Sequence, residues 1–345
     1  MIKNVGNKEF SVMGIGEVML RLSPAQKERI SHSETFEKKA GGSELNVVSG
    51  VSMLGLRSGI ITKLPSNEIG KFVKNKIRYS GTSDDYIVYD SSPNARLGIY
   101  YYESGAYPRQ SVVSYDRVGS SFTTFKSYEL PEKIYQKTEI FHTSGITLAL
   151  DTQLREEIFE VMERFKDAGA IISFDVNYRA SLWSEEDARE TILRALPYVN
   201  VLFVSEETSR RMLKMTGTLS DIHRTLSEKY PSLEIIASTK RKPISPTKHD
   251  FSSLVYDCRE NLHYEEDAYR GIEVVDRIGS GDAYVAGALF ALLKFSSIEK
   301  MASYGGAMAA LKNTVPGDSA QCDITDVERI IRNHAKGAIT SEMIR

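Results

Sequence analysis

Asp276-Arg277-Ile278-Gly279-Ser280-Gly281-Asp282 separates a strand-like run at 271–275 from an almost wholly apolar run at 283–293. Glycines allow backbone N–H groups to converge on one point, because no Cβ stands in the way. The first N–H groups of a helix have no partner within the helix and carry partial positive charge. A strand, a Gly-Ser-Gly turn and a buried helix therefore predict a cradle for an anion.

Asp282 stands where the predicted helix begins, and its carboxylate would repel an anion that rests in the cradle. The conflict disappears if Asp282 removes a proton from a hydroxyl group that attacks a phosphoryl group. An aspartate that only caps the helix after a glycine turn fits the same seven residues equally well. These residues alone leave both interpretations open.

The composition describes an ordinary globular protein. The chain has 345 residues, of which 41% are hydrophobic and 26% charged, so it is long enough for a large core. Its net charge of −2 gives no reason to expect a nucleic acid, and its two cysteines provide no disulfide framework. Neither a signal peptide nor the roughly 20 apolar residues of a membrane span is visible. We expect a cytoplasmic protein that binds neither nucleic acid nor membranes.

Strand-like and helix-like runs alternate along most of the chain, as in an α/β sheet. The main predicted strands are 11–22, 36–40, 58–64, 139–142, 170–176, 200–204 and 233–237. The predicted helices are 44–54, 68–79, 152–168, 185–196, 206–215, 219–230, 283–293, 298–312 and 325–333. Short strands at 84–89, 95–103 and 111–115 predict a small β layer beside the main sheet. Residues 238–250 predict a polar, basic loop, which meets either phosphates or solvent, and 252–265 a hairpin.

Three features of these elements suggest contacts with a ligand. Asn46 lies in the first turns of a helix, four residues after Gly42, where a solvent-facing or capping role is the alternative. Arg179 follows the strand 170–176, and open α/β sheets bind ligands at the carboxyl ends of their strands. The tyrosines and arginines between 96 and 117 satisfy strand propensity, but they could equally present hydroxyls and guanidinium groups to a ligand.

Two motifs together resemble the signatures of the ribokinase-like sugar kinases, and the resemblance extends along most of the chain. Gly41-Gly42-Ser43-Glu44-Leu45-Asn46 resembles the sugar-binding pattern of that family, and Asp276–Asp282 resembles its C-terminal signature. The family implies a three-layer α/β/α sandwich with a small β-sheet lid over the sugar. We therefore expect one domain, 1–345, with lid strands from about 12–40 and 84–118.

The resemblance also implies roles for the residues of the second motif. Asp282 would deprotonate the attacking sugar hydroxyl, and the N–H groups of Gly279, Ser280 and Gly281 would hold the charge that develops on the transferred group. Mg²⁺ would bridge the phosphates of ATP. Asp276 would lie near a monovalent-cation site, with K⁺ as the candidate ion.

Within the family the chain most resembles the kinases that act on 2-keto-3-deoxygluconate, a sugar acid. Arginine matches a carboxylate with its planar fork, so Arg117 and Arg179 are expected to confer acid specificity. The substrate-binding residues implied by the resemblance are Gly42, Asn46, Tyr100, Tyr115, Arg117, Arg179 and Asp318.

On the nucleotide side the chain departs from the family. Ser205-Glu206-Glu207-Thr208 stands where the family has Asn-x-x-Glu, so either glutamate could act through water on the metal. Ser238-Thr239-Lys240-Arg241 replaces a Thr-x-Gly turn. Ser205 and Thr239 are the expected nucleotide contacts, together with Gly279 and Gly281.

Other functions fit the same residues. A fructokinase or another ketose kinase is the first alternative, and a catalytically silent sugar-acid binder that regulates a partner is a remote one. Lid sheets in the family often pair between subunits, so the resemblance also implies a homo-oligomer.

Overall fold

The computed structural model describes residues 8–337, which form a large sheet and a second, smaller sheet. The strands are β1 (Phe10–Ile15), β2 (Met19–Pro24), β3 (Phe36–Gly41), β4 (Ser58–Pro65), β5 (Ile87–Asp90), β6 (Ile99–Glu103), β7 (Val112–Asp116), β8 (Thr138–Ser144), β9 (Ile171–Asp175), β10 (Val201–Phe203), β11 (Ile235–Ser245), β12 (Lys248–Asp257) and β13 (Leu262–Glu273). The large sheet has the order β13-β12-β11-β10-β9-β8-β1-β4-β5. All its pairs are parallel except β11–β12 and β12–β13, so seven carboxyl ends share one edge.

Helices cover both faces of this sheet. They are α1 (Ser43–Met53), α2 (Glu68–Tyr79), α3 (Lys133–Gln136), α4 (Gly145–Ala149), α5 (Thr152–Asp167), α6 (Glu185–Ala195), α7 (Glu206–Arg211), α8 (Leu219–Lys229), α9 (Ser280–Phe295), α10 (Ile298–Asn313) and α11 (Ile324–Ala335). One core contains α1, α2, α9, α10 and α11, and the other contains α5, α6 and α8. The neighbouring residues Val12 and Met13 point to opposite cores, as successive strand residues must. The predicted three-layer sandwich is confirmed.

The smaller sheet, with the order β3-β2-β6-β7, forms the predicted lid. Its boundaries differ from the prediction, because the expected strand 11–22 is two strands that belong to different sheets. The break occurs at Gly16, where a Cβ would come within 2.1 Å of Glu44 Oε2. β5 also pairs with β4 of the large sheet, so the predicted lid ranges 12–40 and 84–118 include residues of the main sheet.

The prediction of a loop at 238–250 was wrong, because β11 and β12 pair without interruption from Ile235 with Asp257 to Ser245 with Lys248, apart from a bulge near Pro243. Beyond Thr239 the residues of β11 are exposed. On the β11 side, backbone hydrogen bonds to β12 hold this stretch and apolar burial contributes little, whereas Phe251 of β12 is buried in the core. The apolar alternation by which strands are recognised is therefore absent from the sequence of β11 beyond Thr239.

Candidate active site

The motif at 276–282 forms the cradle that its glycines predicted. Gly279 precedes α9 with a φ of 82°, and a Cβ there would lie 1.9 Å from the carbonyl oxygen of Asp318. Within residues 8–337 no side chain caps this helix. A Cβ on Gly281 would meet no atom within 4 Å. The N–H group of Ser280 donates weakly to the Arg277 carbonyl oxygen at 3.3 Å, and the start of α9 at Gly281 borders open space, which fits an anion.

Asp282 is buried in the first turn of α9, and two side chains of α1 hold its carboxylate. Ser43 Oγ donates to Oδ1 at 2.8 Å, and Asn46 Nδ2 donates to Oδ2 at 2.7 Å. Burial raises the pKa of Asp282, while these two hydrogen bonds lower it. Since Gly279 occupies the N-cap position, the helix-capping interpretation of Asp282 is wrong. Its geometry suits a general base.

Further acidic groups surround this base. Burial raises the pKa of Glu44 to about 7 and that of Asp175 to about 7, and the charge of Asp282 adds to both shifts. Glu44 accepts hydrogen bonds from Ser144 and Thr147, each at 2.7 Å. Our sequence analysis assigned no role to Ser43 or Glu44, although both lie within the glycine–asparagine motif.

Arg21, a residue of β2 that the sequence analysis missed, connects the lid to the cradle. It is 2% exposed, and its Nη2 lies 2.5 Å from Asp276 Oδ2 while its Nη1 lies 2.7 Å from Asp318 Oδ1. The ring of Tyr102 lies 4.4 Å from the guanidinium carbon. The only sequence signal for this residue was a charge within an apolar strand, which a solvent-facing residue would also produce.

The surroundings of Asp276 differ from what the resemblance implied, whereas Asp318 lines the cavity beneath the lid as implied. The Asp276 carboxylate accepts from Arg21, Gly317 N and Ile278 N, so it does not fit the site of a monovalent cation. Asp318 is held by Arg21 and by the hydroxyl of Tyr100. Both aspartates attach the lid to the loops around the cradle.

Arg117 lines the cavity beneath the lid as expected, but its charge is already balanced. Its guanidinium contacts Oε2 of the buried Glu17, with Nε at 2.8 Å, and the hydroxyl of Ser120 donates to Oε1. The ring of Tyr115 lies 5.5 Å from the guanidinium carbon. Glu17, at the end of the first strand of the sheet, is a second cavity residue that the sequence analysis did not single out.

Arg179 enters the same cavity without an acidic partner. Its Nη1 donates only to the neighbouring Tyr178 carbonyl oxygen, at 3.0 Å, and it forms no ion pair within residues 8–337. The cavity encloses about 500 Å³. The predicted residues that line it are Gly42, Asn46, Tyr100, Tyr115, Arg117, Arg179, Gly279, Ser280, Gly281, Asp282 and Asp318. Apart from Asp276, the structure thus brings together the predicted substrate and cradle residues.

A second cavity, of about 310 Å³, adjoins the first at Gly281 and Arg179. Ser205 and Thr239 line it, although the Ser205 hydroxyl also caps α7 by accepting from Thr208 N. The sequence did not decide between Glu206 and Glu207 as the metal ligand, but the structure places their side chains differently. Glu207 lines the cavity, whereas Glu206 pairs with Arg210 and Lys240.

Comparison with known proteins identifies the family to which this chain belongs. The profile described as "pfkB family carbohydrate kinase" matches residues 9–325. The chain belongs to the pfkB family of carbohydrate kinases. It is 35% identical to a 2-dehydro-3-deoxygalactonokinase of Haloferax volcanii over 93% of this chain and 96% of the relative.

A solved structure agrees with this assignment. A 2-dehydro-3-deoxygluconokinase from Thermotoga maritima superposes with a TM-score of 0.88 at 32% identity, covering 93% of this chain and 98% of that one. A putative ribokinase II from E. coli, in complex with ATP and Mg²⁺, shares the fold alone, with a TM-score of 0.81 at 17% identity over 94% of this chain and all of that one. Among residues 8–337 of this pfkB kinase, no helix has the length and apolar character needed to cross a membrane.

We expect the kinase to be less stable when the Arg21 guanidinium is removed. Arg21→Met leaves two buried carboxylates without their partner, which should lower the free energy of unfolding by about 3–5 kcal/mol. Urea denaturation measures the loss. Arg57→Met, which removes an exposed pair with Glu9, is the control and should cost less than about 1 kcal/mol. Equal losses in the two variants would contradict a clamping role for Arg21.

Proposed function

We propose that this kinase transfers the γ-phosphoryl group of ATP to a hydroxyl group of 2-keto-3-deoxygluconate (2-dehydro-3-deoxygluconate) in the cytoplasm. The observation that carries the proposal is the unpaired guanidinium of Arg179, which shares a cavity with Asp282. A neutral sugar has no use for an unpaired cation there, whereas the carboxylate of a sugar acid matches it. The printed names of the relatives support a 2-dehydro-3-deoxy sugar acid and differ between gluconate and galactonate, so the galactonate epimer is the second candidate.

The roles of the residues follow from their positions. The Asp282 carboxylate takes the proton of the attacking hydroxyl group, whose oxygen forms a bond to the γ-phosphorus as the bond to the β–γ bridging oxygen breaks and ADP departs with the electron pair. Asn46 and Ser43 orient this carboxylate through its two oxygens. The N–H groups at the start of α9 hold the charge that develops on the transferred group, which is the main task of the protein in phosphoryl transfer.

The second cavity suits the nucleotide and its metal. The open space in front of Gly281 leaves room for a phosphate against the uncapped start of α9. Bound Mg²⁺ supplies charge neutralisation between the phosphates. Glu207 would hold it through water, and Ser205 and Thr239 would contact the nucleotide. The residues around Asp276 do not fit K⁺, because Arg21 already neutralises that carboxylate.

Loss of the base should slow turnover strongly without loss of the fold. Asp282→Asn keeps the shape of the side chain but cannot accept the proton, so kcat should fall by about 10²–10⁴. In the wild type, burial raises the pKa of Asp282 above its ordinary 3.8, and only the carboxylate is active. The value of kcat/KM should therefore decrease as the pH falls through this raised pKa and level off above it. A variant that keeps more than about a tenth of the wild-type rate would contradict the role of Asp282.

Arg179 should distinguish sugar acids from neutral sugars. Arg179→Ala removes a charged hydrogen-bond partner worth about 1.5–3 kcal/mol, so kcat/KM for 2-keto-3-deoxygluconate should fall by about 10- to 100-fold. The activity on fructose, which we expect to be small in the wild type, should change little. Steady-state kinetics on both sugars decide the matter.

Arg96→Ala is the matched control, because this lid arginine pairs with the exposed Asp116 and does not line the cavity. Arg96→Ala should leave kcat/KM unchanged for both 2-keto-3-deoxygluconate and fructose. Equal losses on the acid and the ketose in Arg179→Ala would instead assign Arg179 to the phosphates. A wild type that prefers fructose or another ketose would support the alternative of a ketose kinase, and one that phosphorylates nothing would support a silent binder.

The two neighbouring glutamates provide a test of the metal site. Glu207→Gln should raise the Mg²⁺ concentration for half-maximal activity by about tenfold, because it removes the carboxylate that faces the second cavity. Glu206→Gln should leave it unchanged, since Glu206 is held by Arg210 and Lys240. Titration of the rate with Mg²⁺ measures both. A larger effect in Glu206→Gln would reverse the assignment.

Association into a homo-oligomer stays a prediction. The edge strand β7 of the lid is exposed along its whole length and carries the partly exposed apolar residues Val112 and Val113. An edge of this kind can pair with another copy. The molecular mass of the protein in solution would check it.

A further inference from the structure

Lys312, in the last turn of α10, is fully buried and has no acidic partner within 4 Å among the described residues. Its Nζ donates to the carbonyl oxygens of Asp276, at 2.9 Å, and Val315, at 3.2 Å. Burial lowers the pKa of Lys312 to about 8, so the amine remains mostly charged at neutral pH. A buried ammonium group held by backbone carbonyls has no place in the transfer chemistry described above.

The two carbonyl groups belong to segments that shape the cradle. Residues 275–279 lead directly into α9, and residues 313–318 lie against them. Val275 N and Asp276 N donate to the carbonyl oxygen of Asn313 at 2.8 and 3.2 Å, and Gly279 packs on the Asp318 carbonyl oxygen. Lys312 joins the same two segments through its hydrogen bonds to the carbonyl oxygens of Asp276 and Val315. The ammonium group is thus positioned to fix the backbone from which the N–H groups of the cradle project.

A ring of backbone carbonyl oxygens is also what a desolvated monovalent cation requires. Here the Asp276 carbonyl oxygen is taken by Lys312, and the Asp276 carboxylate is taken by Arg21. Two side-chain cations therefore occupy the oxygens that an ion at this position would use. Together they balance the charges of the buried Asp276 and Asp318, so the site needs no further positive charge.

We propose that the ammonium group of Lys312 is a built-in substitute for a monovalent cation, which fixes the anion cradle and makes the kinase independent of K⁺. Lys312 is a positioning residue, because it reaches the phosphates only through the backbone of 276–279. The inference rests on the phosphoryl transfer proposed above, but it does not depend on which sugar is phosphorylated.

The test compares ions in the wild type and in two variants. Wild-type activity should agree within about twofold in K⁺, Na⁺ and tetramethylammonium chloride at equal ionic strength. Lys312→Ala opens space for an ion, and without K⁺ or NH₄⁺ its rate should fall by about 10- to 100-fold. Either ion should restore much of that rate. Lys312→Met fills the space with an uncharged chain, and no ion should restore it.

Thermal unfolding gives a readout that needs neither sugar nor ATP. An ion that binds only the folded protein raises Tm, so K⁺ and NH₄⁺ should raise the Tm of Lys312→Ala relative to tetramethylammonium. The wild type should show no such difference. Lys63→Ala is the control, because Lys63 is also largely buried but pairs with Glu129 far from the cradle. The Tm of Lys63→Ala should be the same in K⁺, NH₄⁺ and tetramethylammonium.

Three results would overturn the inference. One is a wild-type rate that K⁺ stimulates more than about fivefold. Another is a Lys312→Ala variant whose rate and Tm ignore K⁺ and NH₄⁺. The third is a Lys312→Ala variant that stays unfolded in K⁺, because an ion should refill the site. If the wild type phosphorylates no sugar acid, the proposed substrate fails, while the Tm comparison still reports on Lys312.

Discussion

The buried pairing of Arg21 with Asp276 and Asp318 is the interaction on which the rest of the active site depends. Charges removed from water are costly unless their partners are removed with them. Arg21 and Lys312 carry two positive charges, and the two aspartates carry two negative ones, so the cluster is balanced only when all four are present. The lid strand β2, the segment before α9 and the segment after α10 contribute to this cluster, and each holds the others in position.

The geometry of the site follows from this cluster. Asp318 fixes Tyr100 of the lid through one carboxylate oxygen and Arg21 through the other, while its carbonyl oxygen lies where only a glycine at 279 can fit. The lid and the cradle are therefore positioned by one residue. Asp282 receives its orientation separately, from α1, so the base and the anion cradle are held by different parts of the sheet edge at which the parallel strands end.

The sequence predicted what depends on local chemistry. Gly279 and Gly281 indicated the cradle, the alternation of strand-like and helix-like runs indicated an α/β sheet, and the family resemblance added the three layers. Gly42 and Asn46 were expected at the substrate and do line its cavity, but the hydrogen bond from Asn46 to Asp282 was not predicted. The sequence did not predict Arg21, because a charge on a strand looks the same whether its partner is water or an aspartate 255 residues away. It also missed the hairpin β11–β12, whose exposed half is held by backbone pairing that leaves no apolar pattern.

Arg117 and Arg179 show why residue type alone cannot assign the substrate carboxylate. Both line one cavity and carry the same group, but Arg117 is bound to the buried Glu17 and Arg179 is bound only to a carbonyl oxygen. A substrate carboxylate that approached Arg117 would have to share a cation with Glu17 and would be repelled by it. At Arg179 the same carboxylate would gain a charge-assisted hydrogen bond without competing with an ion-pair partner among the described residues. This difference is why the proposed partner of the substrate carboxylate is Arg179, whereas Arg117 orients Glu17 beneath the lid.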